Sequence, residues 1–132
     1  PAHLALTWEF DGQLSWLDVT LTTNSDGQTT LRIEHTVPDD DHWQQFGPAA
    51  TGIGWDLTLF ALDAHLTSGE NSSIDDDMLA SPDAIDAMRH SGNAWREADI
   101  ASGTIVDVAR GAAARAIAAY TGEQPNESNP GT

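Results

Sequence analysis

Between residues 4 and 10, Leu4, Leu6, Trp8 and Phe10 alternate with Ala5, Thr7 and Glu9. A hydrophobic period of two is the mark of a strand with one buried face. Asp11-Gly12 follows as a turn signal. Over 15–23, Leu17, Val19 and Leu21 share one side, and Trp16, Asp18 and Thr20 the other. Asn24-Ser25-Asp26-Gly27 makes a tight connection, its Asp-Gly pair supplying the positive φ that hairpin turns demand. Residues 29–37 return with Leu31, Ile33, His35 and Val37 facing one way. Three strands joined by short polar loops predict an antiparallel meander.

The period then changes. Pro38 ends the third strand, and Asp39-Asp40-Asp41 supplies carboxylates suited to cap a helix start. A helix is expected over roughly 42–66, with Gly47-Pro48 dividing a short first segment from a longer second one. Ile53, Leu57 and Phe60 recur at helical spacing, as do Trp55, Leu59, Leu62 and Leu66, giving a wide apolar face suited to lying across a sheet. Ser68-Gly69 ends this helix, and 69–80 reads as an acidic linker. Ser81-Pro82-Asp83 starts a helix over 82–101, with serine as cap and proline in the first turn. Residues 105–120, with seven alanines, predict another that stops at Gly122. The division is thus 1–68, linker 69–80, helical extension 81–122, and an aperiodic tail 123–132 expected to be disordered.

Charge narrows the function classes. Twenty-one acidic residues against five arginines and no lysine give a formal charge of −16 over 132 residues. Phosphate backbones and anionic membrane surfaces are bound through basic side chains, so neither nucleic acid nor membrane is an expected partner. No segment of 1–20 has the basic start and apolar core of a secretion signal, and a cytoplasmic location is expected. With no cysteine, disulfides and thiolate chemistry are excluded. A hydrophobic share of 39% with five tryptophans suffices for a packed core.

No catalytic or cofactor motif stands out, and no cofactor is expected. GxSxG, HExxH and a phosphate-binding glycine loop are missing, and Gly52 and Gly54 lack the rest of a dinucleotide fingerprint. Asp39-Asp40-Asp41-His42 and Asp75-Asp76-Asp77 lack the alternation of a calcium loop and read as caps and solvated linker, so no metal is expected. His35 is the singular residue. It shares a strand face with Leu31 and Ile33, where an imidazole can orient a ligand, exchange a proton, or simply satisfy a backbone group.

TWEF, TTLRIEHTV and GWDLTLFALDAHL resemble, over residues 4–67, the later half of the activator of heat-shock-protein-90 ATPase homologue-like family. That family belongs to the START-like (SRPBCC) helix-grip superfamily. The features carried are Leu31, His35 and Thr36 on the last strand, with Gly54, Trp55, Leu59, Leu62 and Leu66 on the long helix. SGNAWREADIASG and AAARAIAAYTG are similar to a C-terminal extension of some bacterial members. The resemblance implies an α+β fold: an antiparallel sheet gripping a long packing helix, here without its N-terminal half. It implies that another polypeptide supplies the missing strands, or that a homodimer pairs the exposed edges. It also implies a sheet–helix cavity binding a small hydrophobic or amphipathic ligand. Trp8, Phe10, Leu17, Val19, Ile33 and His35 would line it from the strands, and Trp55, Leu59 and Leu62 from the helix. The rivals are a cyclase- or hydrolase-like enzyme using His35 as general base, and a chaperone-associated interaction module.

Overall fold

A computed structural model describes residues 2–69 and 74–123. It is α+β, with strands β1 (Ala2–Phe10), β2 (Gln13–Thr23) and β3 (Thr29–Thr36) followed by helices α1 (Asp41–Ser68), α2 (Asp76–Leu79), α3 (Pro82–Ala101) and α4 (Val106–Thr121). The strands form one antiparallel sheet in the order β1-β2-β3. Tertiary packing divides the chain into two compact units: the strands up to Trp43, and the helices from Gln44 onward.

In the sheet unit, the first hairpin pairs Phe10 with Gln13, leaving Asp11-Gly12 as a two-residue loop. Both loop residues have positive φ, 49° and 73°. That is the requirement of the primed turn whose twist matches the flanking strands, and Asp-Gly meets it with little strain. The second hairpin closes at Thr23–Thr29. Its loop is held by Asn24, whose Oδ1 accepts from the backbone N–H groups of Asp26 and Gln28 at 3.0 and 2.9 Å.

The helical unit is built on close approach. Asp40 Oδ1 caps the start of α1 by accepting from the Trp43 N–H at 2.9 Å. At Gly47 the backbone leaves helical geometry (φ 57°, ψ −159°), a region open in practice to glycine alone. Pro48 therefore begins a new helical segment, where its missing N–H and fixed φ do no harm. Beyond this break, Ala49 and Ile53 share a buried cluster with Met88 of α3 and Ala113 and Ala116 of α4. Phe46, Ala50, Leu57, Ala84, Ile85, Trp95 and Ile117 pack around it.

The long helix thus buries its Ile53–Leu57 side against α3 and α4. The interior side of α4 is made mainly of small residues, with Ile117 beside them. Ile105, Val106 and Val108 are exposed, whereas Ala109, Ala112, Ala113 and Ala116 are buried. Their spacing forms a helical stripe, and methyl groups there permit short interaxial distances.

Two glycines make that approach possible. A Cβ at Gly52 would run into the Trp95 indole, and one at Gly92 into the Ile117 side chain. Polar groups follow the same contacts. Trp95 Nε1 donates to Asp56 Oδ2 at 3.1 Å, Ser91 Oγ donates to the same oxygen, and Tyr120 Oη donates to the Ala50 carbonyl at 2.8 Å. Ser81 caps α3 by accepting from the Ala84 N–H, with Pro82 in its first turn, and Gly122 (φ 71°) ends α4 in the left-handed region. Short α2 lies within the segment that reads as linker, capped by Asp75. Residues 70–73 of that linker and 124–132 of the tail lie outside the described residues.

A Gly→Ala change in an exposed helix interior normally gains up to about 1 kcal/mol. At Gly52 the sign reverses, because the methyl overlaps the Trp95 ring. Gly52→Ala is expected to lower the unfolding free energy by about 1–3 kcal/mol. Urea denaturation followed by circular dichroism checks this, a stabilised variant being the contrary result.

Candidate functional site

Strand alternation and the two registers determine which side chains meet on the sheet. Leu4 pairs with Val19, Leu6 with Leu17, and Trp8 with Ser15. Across β2 and β3, Leu17 pairs with His35, Val19 with Ile33, and Leu21 with Leu31. Paired residues in an antiparallel ladder point to the same side. One face therefore carries Leu4, Leu6, Trp8 and Phe10 from β1, Ser15, Leu17, Val19 and Leu21 from β2, and Leu31, Ile33 and His35 from β3. All six strand residues assigned to a ligand, Trp8, Phe10, Leu17, Val19, Ile33 and His35, lie on this single face.

The face is graded in burial. Leu17 at its centre is 4% exposed, whereas Phe10 at the rim is 76% exposed. Leu4, Leu6, Trp8 and Leu21 are exposed as well, and Val19, Leu31, Ile33 and His35 are half-buried. The opposite face is mixed: His3 Nε2 and Asp18 Oδ1 lie 2.8 Å apart, Arg32 pairs with Glu34, and Leu14 and Trp16 are exposed.

At one end of the apolar face, a polar group comes from each strand. His35 Nε2 lies 2.8 Å from Ser15 Oγ, and Ser15 Oγ donates to the Trp8 carbonyl at 3.2 Å. The imidazole and indole centroids are 6.5 Å apart, with the rings tilted by 46°. Burial pushes the His35 pKa below its usual 6.5, so the ring is neutral at pH 7. Ser15 has one hydroxyl proton, and the Trp8 carbonyl takes it. That assigns His35 Nε2 as the donor to Ser15 Oγ, the reverse of the direction needed to activate a hydroxyl. The arrangement orients an imidazole; it does not build a Ser–His nucleophile.

The other assigned residues belong to the helical unit. Trp55, Leu59 and Leu62 lie on one stripe of α1, with Leu66. At about 100° per residue this stripe is opposite the one holding Ala49, Ile53 and Leu57. Leu59, Leu62 and Leu66 are exposed, and Trp55 is half-buried. Ser15 is the site residue that the hydrophobic pattern alone passes over. Its signal was available in the alternation at every second residue with Leu17 and Val19 and in the two-residue turn, which together place it beside Trp8.

Among the described residues, no group of three or more His, Asp or Glu side chains is arranged to hold a metal ion. No helix described is long and apolar enough to cross a membrane. No protein-family model, curated relative or solved structure matches the chain.

The sign of the His35 shift fixes a pH dependence. A histidine held neutral by burial contributes its full stability above the unfolded value of 6.5, and that contribution is lost as pH falls below it toward the lowered native value. His35→Gln, which keeps an N–H donor, is expected to flatten this acid limb. Urea midpoints of both proteins between pH 7.5 and roughly 5 measure it. Nuclear magnetic resonance titration should place the His35 midpoint below 6.5, and a midpoint above that value would contradict the burial argument.

Proposed function

We propose that this chain binds a small hydrophobic or amphipathic molecule on the apolar face of its three-stranded sheet, through Trp8, Phe10, Leu17, Val19, Ile33 and His35. The observation that carries the reading is the Trp8–Ser15–His35 group, set at one end of a mainly apolar surface. Ligand sites are built in this way, from apolar walls with a small number of placed polar groups that fix orientation. The resemblance of residues 4–67 to the helix-grip superfamily supports the same reading. A net charge of −16 disfavours anionic ligands and favours a neutral or cationic amphiphile. General-base chemistry at His35 is not favoured, given the donor role of its Nε2 toward Ser15.

The test uses a neutral dye, phenylnaphthylamine, and a neutral long-chain alcohol as its competitor. Saturable dye fluorescence displaced by the alcohol is expected. Val19→Glu places a carboxylate on the apolar face and should weaken dye binding by at least about tenfold. Thr20→Glu, on the opposite face beside Asp18, should leave it unchanged. Equal losses in the two variants, or uptake that never saturates, would overturn the reading.

A further inference from the structure

Asp-Gly steps occur at 11–12 and at 26–27, and each is followed by glutamine, Gln13 and Gln28. Both steps lie in hairpin loops, with their residues exposed. An Asp-Gly step can close on itself, because glycine has no side chain to shield its nitrogen from the carboxyl group before it. The two loops hold that nitrogen differently. At the second, the Gly27 N–H donates to the Asn24 carbonyl at 3.2 Å. Asn24 Oδ1 braces the same loop through the N–H groups of Asp26 and Gln28. At the first, the Gly12 N–H has no hydrogen-bond partner among the described residues. Asp11 is also the one described residue other than glycine with a positive φ.

We propose that Asp11, in preference to Asp26, is a site of spontaneous backbone modification in the folded chain, closing with Gly12 to a succinimide that reopens as isoaspartate. The Gly12 nitrogen attacks Cγ of Asp11, forming a C–N bond. The nitrogen gives up its proton and the carboxyl group loses an oxygen, and the two leave as water. A second water then opens the ring. Addition at Cγ restores aspartate, whereas addition at the main-chain carbonyl leaves the chain running through Cβ and Cγ. Water lost is water regained, and no other reactant takes part.

The structure selects between two steps of the same sequence, Asp-Gly-Gln. An amide nitrogen must give up its proton to attack, and at Gly27 that proton is engaged with a carbonyl that has to be released first. At Gly12 no such bond stands in the way. Attack also requires rotation about the bond between Cα and the carbonyl carbon of the aspartate. The left-handed conformation of Asp11 is a less favoured starting point for an L-residue, so leaving it costs the chain less. The product adds one atom to the main chain between Phe10 and Gln13. A loop of two residues has no slack for it, so the first hairpin is the element that ages. None of this depends on a ligand.

The full chain is incubated at neutral pH, folded in buffer and, in parallel, unfolded in guanidinium chloride. Electron-transfer fragmentation of its peptides distinguishes isoaspartyl from aspartyl bonds at each position. In the folded chain, isoaspartate is expected to accumulate about 2- to 10-fold faster at Asp11 than at Asp26, the factor that one intramolecular hydrogen bond is worth. In denaturant the two rates should converge, because both loops are open. Asp11→Glu, whose longer side chain does not form the five-membered ring, should abolish the signal at this position and leave that at Asp26 unchanged. Circular dichroism checks that the variant is folded. Equal rates in the folded chain, or a faster rate at Asp26, would overturn the proposal. So would an excess at Asp11 that persists undiminished in denaturant, which would trace it to the neighbouring residues rather than to the fold.

Discussion

In the sheet, everything of functional interest depends on the parity set by Asp11 and Gly12. A two-residue loop with both central residues at positive φ joins Phe10 to Gln13, and no freedom of register remains. From that pairing, Trp8 must face Ser15, and Leu6 must face Leu17. A slip of one residue would move the apolar set of β1 onto the side carrying Asp18 and Thr20. The Trp8–Ser15–His35 group is therefore a product of turn geometry as much as of the residues that compose it. Its hydrogen-bond directions are set in turn by a backbone carbonyl that can only accept.

The helical unit obeys a different constraint, the scarcity of side-chain volume where α1, α3 and α4 meet. Gly52 leaves room for the Trp95 indole, Gly92 for Ile117, and the α4 alanines bring its backbone close to Ile53 and Met88. Asp56 then gathers donors from both Ser91 and Trp95, so the indole is fixed at its edge as well as on its face. Gly47 lets the chain bend out of the first short segment and restart at Pro48, directing Ala49 and Ile53 into this cluster.

Much of this was legible in the sequence, for physical reasons that differ between elements. Period two, Asp-Gly turns and a terminal proline define strands locally, and the three strands fall close to where the alternation puts them. Ser81-Pro82 and Gly122 mark helix ends by backbone chemistry, and those ends hold too. The interior of the helical unit was harder to read. An apolar stripe such as Ile53–Leu57 says that a surface is covered, not what covers it, and here α3 and α4 cover it. In α4 the fully buried positions are alanines, whose burial depends on an approach that no single helix encodes. Of the site, the shared strand face of Trp8, Val19 and His35 follows from alternation. The part played by Ser15 needs the register as well, and the direction of its hydrogen bond needs coordinates.

An interior lined by alanine has a thermal consequence. Methyl groups remove less hydrocarbon from water per residue than leucine or isoleucine, so melting the helical unit releases comparatively little apolar surface to hydration. The heat-capacity increment of unfolding scales with that surface. Ala49, Ala109, Ala112, Ala113 and Ala116 therefore give the helical unit a shallow free-energy curve, changing slowly on either side of its optimum temperature and set back from cold denaturation.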